Sequence, residues 1–126
     1  MFLLKKVENG YNNVHEPEYY PAGATALTQG EGVKLSSGKL VACGATTKPS
    51  FITVAAAAAN AASVPVIPVT NQQIYEADAS VSVASAVIGT KVTLTAAGDA
   101  ITATTSDGVA TIVEVVADKK ALVKFE

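Results

Sequence analysis

The 126-residue sequence has no tryptophan and no arginine, one cysteine and one histidine, and aromatic residues make up only 6% of it. With so few rings, a core has to come from Val, Ala, Ile, Leu and the methyl group of Thr. Such side chains bury little area each, which makes burial against other chains valuable. The missing arginine removes the planar fork that recognises phosphates and base edges. Nine lysines are scattered along a chain whose formal net charge is −2. A polyanion partner needs clustered cations that displace counterions, so no nucleic acid is expected.

The lone Cys43 cannot close an internal disulfide, so the pattern is not that of a small secreted scaffold. Lys5 and Lys6 follow the short apolar stretch Met1–Leu4 instead of preceding it, the wrong order for a signal peptide. Synthesis and assembly in a cytoplasm are expected. Charge is also absent from Pro49 through Tyr75, and Phe51 to Val69 is long enough to raise a membrane span. Asn60, Ser63, Pro65 and Pro68 interrupt it and would leave backbone groups without partners in lipid, so no membrane is expected.

Reactive groups are few and stand apart. His15 lies near Glu16 and Glu18, but on a proline-bracketed segment that lacks the rigid geometry a metal requires. Cys43 has neither a CxxC partner nor a second histidine to activate it. Gly30, Gly32 and Gly38 lead to no Gly-Lys-Ser/Thr and open no helix, so they read as turn glycines and not as a phosphate loop. Asp99, Asp107 and Asp118 all occupy turn signals. No catalytic, cofactor-binding or metal residue is therefore assigned, and no enzyme is expected.

What the sequence does contain is strand and turn signals. Residues 1–22, with Tyr11 and with Pro17 and Pro21 bracketing Glu18-Tyr19-Tyr20, read as an extended N-terminal arm; residues 23–126 read as a single β domain. Val33–Leu35 and Leu40–Val41 flank a Ser36-Ser37-Gly38 turn, and Phe51–Val54 is β-branched and aromatic. Gln72–Glu76 reads as a short strand, and Val64–Val69 as an edge strand or surface segment because each proline removes a ladder donor. Val81–Val83, Val92–Thr95 and Ile101–Thr104 alternate. Asp107-Gly108 is a hairpin signal leading into Val109–Val116, and Asp118-Lys119-Lys120 turns into the closing strand Leu122–Phe125. Ala55–Ala62 is balanced between a two-turn helix, favoured by propensity, and a strand-like path favoured by its flanks. The expected fold is all-β, a compact barrel or sandwich of antiparallel hairpins, with that alanine run as the one place for a helix.

The tyrosine-bearing arm, Pro21-Ala22-Gly23, the Gly30-x-Gly32-Val33 strand start, Gly38-Lys39-Leu40 and the terminal Val123-Lys124-Phe125 together resemble the head-decoration, or cement, proteins of tailed bacteriophages. The resemblance implies a structural virion protein on the capsid exterior that stabilises contacts between major capsid subunits. It also implies a homo-oligomer, with a trimer at a local threefold as the usual form. The partners would be the major capsid protein and further copies of this chain. Tyr11, Tyr19, Tyr20, Phe51, Val66 and Ile67 are the candidate protein-interface residues, as aromatic anchors and an uncharged apolar stretch. A second reading is an Ig-like or fibre-type surface domain that recognises a host or glycan ligand.

Overall fold

The structure is a computed structural model that describes residues 1–8 and 16–126. Among the described residues ten strands follow in order: β1 (Phe2–Val7), β2 (Glu18–Tyr20), β3 (Gly32–Ser36), β4 (Lys39–Ala42), β5 (Phe51–Thr53), β6 (Val64–Pro68), β7 (Gln73–Asp78), β8 (Lys91–Val92), β9 (Ala110–Ala117) and β10 (Lys120–Phe125). They form two five-stranded antiparallel sheets, β1-β7-β10-β9-β8 and β2-β6-β5-β3-β4. The fold is all-β and sandwich-like, and no helix occurs among the described residues.

The first sheet is built on alternation. In β10, Ala121, Val123 and Phe125 point inward and are fully buried, while Lys120 is exposed and Leu122 and Lys124 are half-buried. Its solvent face is laced by ion pairs, Lys5 to Glu76 at 3.4 Å and Lys120 to Glu76 at 3.7 Å. Pairs this exposed add little stability, so they mark a solvated face more than a structural clamp. The inward residues join Ile52, Cys43, Leu94 and Ile101 in the larger core, between the two sheets.

The second sheet curls. Residues Pro21 to Gly23 continue from β2 and reach β4 at the opposite edge: Leu40 N donates to Pro21 O at 2.8 Å, and Gly23 N donates to Leu40 O at 2.9 Å. The ladder does not close into a barrel, but the curl encloses a second, smaller core of Ala22, Leu27, Val33, Leu40, Val64 and Val66. The residues expected as an arm are thus part of the sheets at both described ends, as β1 in one and β2 in the other. Phe2, for its part, is buried in the larger core.

Several sequence expectations change. The segment Val64–Pro68 is an interior strand, paired with β2 on one side and β5 on the other. Its prolines are tolerated because of where they fall. Val54 N donates to Pro65 O at 2.9 Å, so the donor that Pro65 lacks would face Val54, just past the end of β5. Pro68 faces the β2 side, beyond Glu18, the last residue paired there. Neither ladder loses a bond within its paired length.

The alanine run forms neither helix nor strand. It crosses as an irregular segment pinned by a single bridge, Leu27 to Ala57. Val81–Val83 is not a strand, because it serves as a connection whose Val83 N bonds to Asp118 O at the end of β9. Val92–Thr95 and Ile101–Thr104 do pair with each other, Thr93 N donating to Thr104 O, Thr102 N to Thr93 O and Thr95 N to Ala100 O, each at 2.9 Å, as an irregular hairpin of which only Val92 belongs to a regular strand, β8. Asp107 does adopt a left-handed turn conformation, but β9 pairs with β8 and not with the segment before the turn, so Asp107-Gly108 closes no two-stranded hairpin. By contrast, the Ser37-Gly38 turn joins β3 to β4, and Asp118-Lys119 joins β9 to β10.

Candidate functional site

Two uncharged runs of sequence meet on one surface. Residues Tyr19 to Gly30 carry no charge, nor do Pro49 to Tyr75. The curl lays Ala22–Leu27 beside Ala57–Ala61: Leu27 and Ala57 exchange both backbone bonds at 2.9 Å, Ala22 N donates to Ala61 O, and Asn60 N donates to Gly23 O at 2.8 Å. Ala57 and Ala61 turn toward the small core and help to close it. Their neighbours Ala55, Ala56, Ala58, Ala59 and Ala62 face solvent, next to the exposed Ala24, Thr25 and Ala26. The result is a face of small, neutral side chains on a backbone held by hydrogen bonds. Another chain can approach it closely, and no charge has to be stripped of water when it does.

The expected interface residues divide across this structure. Tyr19 is 64% exposed, opposite Pro65 on β6. Tyr20 and Phe51 are half-buried and pack on each other, ring centroids 5.1 Å apart, against the small core. Val66 is fully buried inside the curl and leaves no side-chain surface for a partner, which corrects its assignment. Ile67 faces the opposite way, packed against the larger core. Tyr11 and His15 lie outside the described residues. The first uncharged run, Tyr19 to Gly30, was the signal that sequence reasoning missed, because it was divided between the arm and the first hairpin.

The buried polar groups have structural partners. Gln73 Oε1 accepts from Tyr75 Oη and from Thr70 N, both at 2.9 Å, and Gln73 Nε2 donates to Pro68 O at 3.1 Å. The amide thereby ties β7 of one sheet to β6 of the other. Burial also raises the Tyr75 phenol well above its ordinary value.

Burial raises Cys43 to about 11. Its thiol is therefore protonated at neutral pH and a poor nucleophile. Iodoacetamide is expected to modify Cys43 about a hundredfold more slowly in the folded chain than in urea, read by intact mass.

Glu31, just before β3, is 6% exposed. Its carboxylate accepts a single hydrogen bond, from Thr28 N at 3.2 Å, and its backbone amide donates to Thr53 Oγ1 at 3.0 Å. Burial raises the carboxyl above its ordinary value; the Thr28 bond works against this, and nearby Asp99 adds to it. A raised acid binds more protons folded than unfolded, so its contribution to stability is greatest at low pH and falls as pH rises through that range. Glu31→Gln is expected to be more stable than the parent chain at pH 7, with the difference vanishing toward pH 4, as measured by urea denaturation across pH.

Among the described residues no cluster of three potential metal ligands occurs, and no helix is long and apolar enough to cross a membrane. No protein-family model matches the chain, and no curated protein is significantly similar to it.

Proposed function

We propose that this chain is a structural protein of a tailed-phage virion, bound to the capsid exterior, where it stabilises contacts between major capsid subunits. The observation that carries the reading is the neutral face formed where Ala22–Leu27 lies beside the alanine run. An exposed surface of small side chains costs little desolvation on docking and loses little side-chain entropy, since alanine has no rotamers to fix. Modest contacts of this kind gain strength through repetition when many copies bind one shell or when copies of the chain act as an oligomer.

The test is cosedimentation of the purified chain with expanded, genome-free phage heads. The parent chain is expected to pellet saturably with heads. The double substitution A56E/A59E places two carboxylates on the exposed face and is expected to weaken binding at least about tenfold, since burying an unpaired charge costs well over 1 kcal/mol, while leaving the melting temperature of the free chain nearly unchanged. Equal binding by both proteins, or none by the parent, defeats the proposal.

The exposed ring of Tyr19 gives the surface-recognition reading its one support, since stacking on an exposed ring is one way to hold a sugar. Saturable glycan binding that is lost in Tyr19→Ala, together with failure to bind heads, would favour it.

A further inference from the structure

We infer that the outer edge of β1 is a strand-addition site for an extended segment of a different protein chain, one that alternates apolar and acidic residues. This site is built on β1, which is not part of the neutral face, and it does not depend on the capsid assignment.

The edge follows from the hydrogen-bond pattern. Among the described residues, β1 pairs with one strand only, β7. Asp78 N donates to Met1 O, and Glu8 N donates to Gln72 O, so residues 1 and 8 face β7. Phe2 N points the other way and is taken by Gly30 O at 2.7 Å. Alternation then turns Leu3 toward β7 and Leu4 away from it. The register shift between Leu4 and Lys6 inserts one extra residue, so Lys6 faces β7 and Val7 faces outward. Among the described residues, no backbone group pairs with the outward N–H and C=O of Leu4 and Val7.

These groups border a cleft of about 410 Å³ between β1 and the second sheet, whose walls include Leu4, Ile52 and Ile67. Leu4 and Ile67 are half-buried and Ile52 is buried, so the walls are already packed before anything enters. A strand laid along β1 would find main-chain partners at Leu4 and Val7, and its inward side chains would meet an aliphatic wall. Main-chain bonds supply affinity in this mode, and the alternate side chains supply selection.

Charge selects the occupant. Lys5 and Lys6 are adjacent and exposed at the shift. Lys5 is paired with Glu76, whereas Lys6 has no acidic partner among the described residues. A second copy offering its own β1 would set lysines against lysines, which opposes edge-to-edge pairing. An incoming strand with carboxylates on its solvent side is attracted instead.

The probe is an acetylated, amidated eight-residue peptide of alternating valine and glutamate, compared with a valine–lysine peptide and with the valine–glutamate peptide carrying backbone N-methyl groups. Residue-resolved amide exchange on the full chain reads the site. In the free chain, the Leu4 and Val7 amides are expected to exchange fast while Leu3 is protected. The valine–glutamate peptide at millimolar concentration is expected to slow Leu4 and Val7 at least about tenfold, and the N-methylated peptide to leave both unchanged. Lys6→Glu is expected to weaken the valine–glutamate peptide by about threefold to fivefold, the scale of an exposed ion pair, and to strengthen the valine–lysine peptide. Slow exchange of Leu4 and Val7 before any peptide is added overturns the inference. So does equal protection by both charged peptides, protection by the N-methylated one, or no protection at all.

Discussion

Replacing Phe125 with alanine is expected to remove about 3–5 kcal/mol of stability, the range for deleting a buried ring and leaving a cavity. Phe125 is fully buried on the last strand, and its ring meets two others: Phe2 edge-on at 5.1 Å, and Tyr75 tilted at 5.4 Å. In a chain with so few aromatic residues, this trio of rings lies in the larger core and joins β1, β7 and β10. Phe125→Leu keeps most of the volume and is expected to cost less than half as much. Thermal unfolding followed by circular dichroism should place the alanine variant roughly 10–20 °C below the parent chain. A fall of only a degree or two would show that the trio is not the centre of the core.

The second large effect is expected at Gly98, in the turn between Leu94 and Ile101, where that turn meets the start of β3. Gly32 N, on the second sheet, donates to Gly98 O at 2.7 Å. Gly98 has φ of +73°, and a Cβ added there would sit 2.7 Å from Gly32 O and 3.2 Å from Cys43 Sγ. Gly98→Ala therefore meets both a disfavoured backbone conformation and a clash with rigid backbone, and should cost about 2–4 kcal/mol. Gly38 is the control. Its φ is +78°, but an added Cβ would have nothing within 4 Å, so Gly38→Ala should cost only about 1 kcal/mol. Urea denaturation of the pair separates the two contributions. Equal losses would mean that backbone conformation alone matters and that the contact between this turn and β3 is loose. Cys43 gives a second readout, since a join opened by Gly98→Ala should speed its alkylation and Gly38→Ala should not.

The parts of the fold that could be read from the sequence are those where local chemistry and tertiary pairing agree. β9 and β10 alternate around the Asp118-Lys119 turn, and β3 and β4 flank a turn whose Ser37 and Gly38 both have positive φ. Each strand there pairs with its neighbour in sequence, so nothing distant is needed to find it. β1 was hidden because its partner β7 begins at Gln73, far along the chain, and because Leu-Leu-Lys-Lys does not alternate: the register shift absorbs the extra residue. β6 was demoted by its prolines, and only the lengths of β2 and β5 show that the missing donors fall outside both ladders. The alanine run was undecided because its conformation is set by Ala22–Leu27, which it covers, and not by its own propensity. Glu31 gave no sign of burial, since Gly-Glu-Gly looks like a solvent-exposed turn until Thr53 binds its backbone through both the hydroxyl and the amide.

The candidate site was half visible for the same reason. A long stretch without charge stands out in the sequence, but that the shorter run from Tyr19 to Gly30 lies against it is a property of the curl. The tyrosines drew attention as anchors, yet Tyr20 is spent on Phe51 and only Tyr19 among the described tyrosines remains outward.

The position of β7 between β1 and β10 also governs how the molecule would carry a pull. Both neighbours run antiparallel to β7 and therefore point the same way. A tension applied between Phe2 and Phe125 acts along the strands and loads both ladders at once, in shear, so that many hydrogen bonds must give way together. A molecule stretched in this direction resists as a unit instead of unzipping one bond at a time.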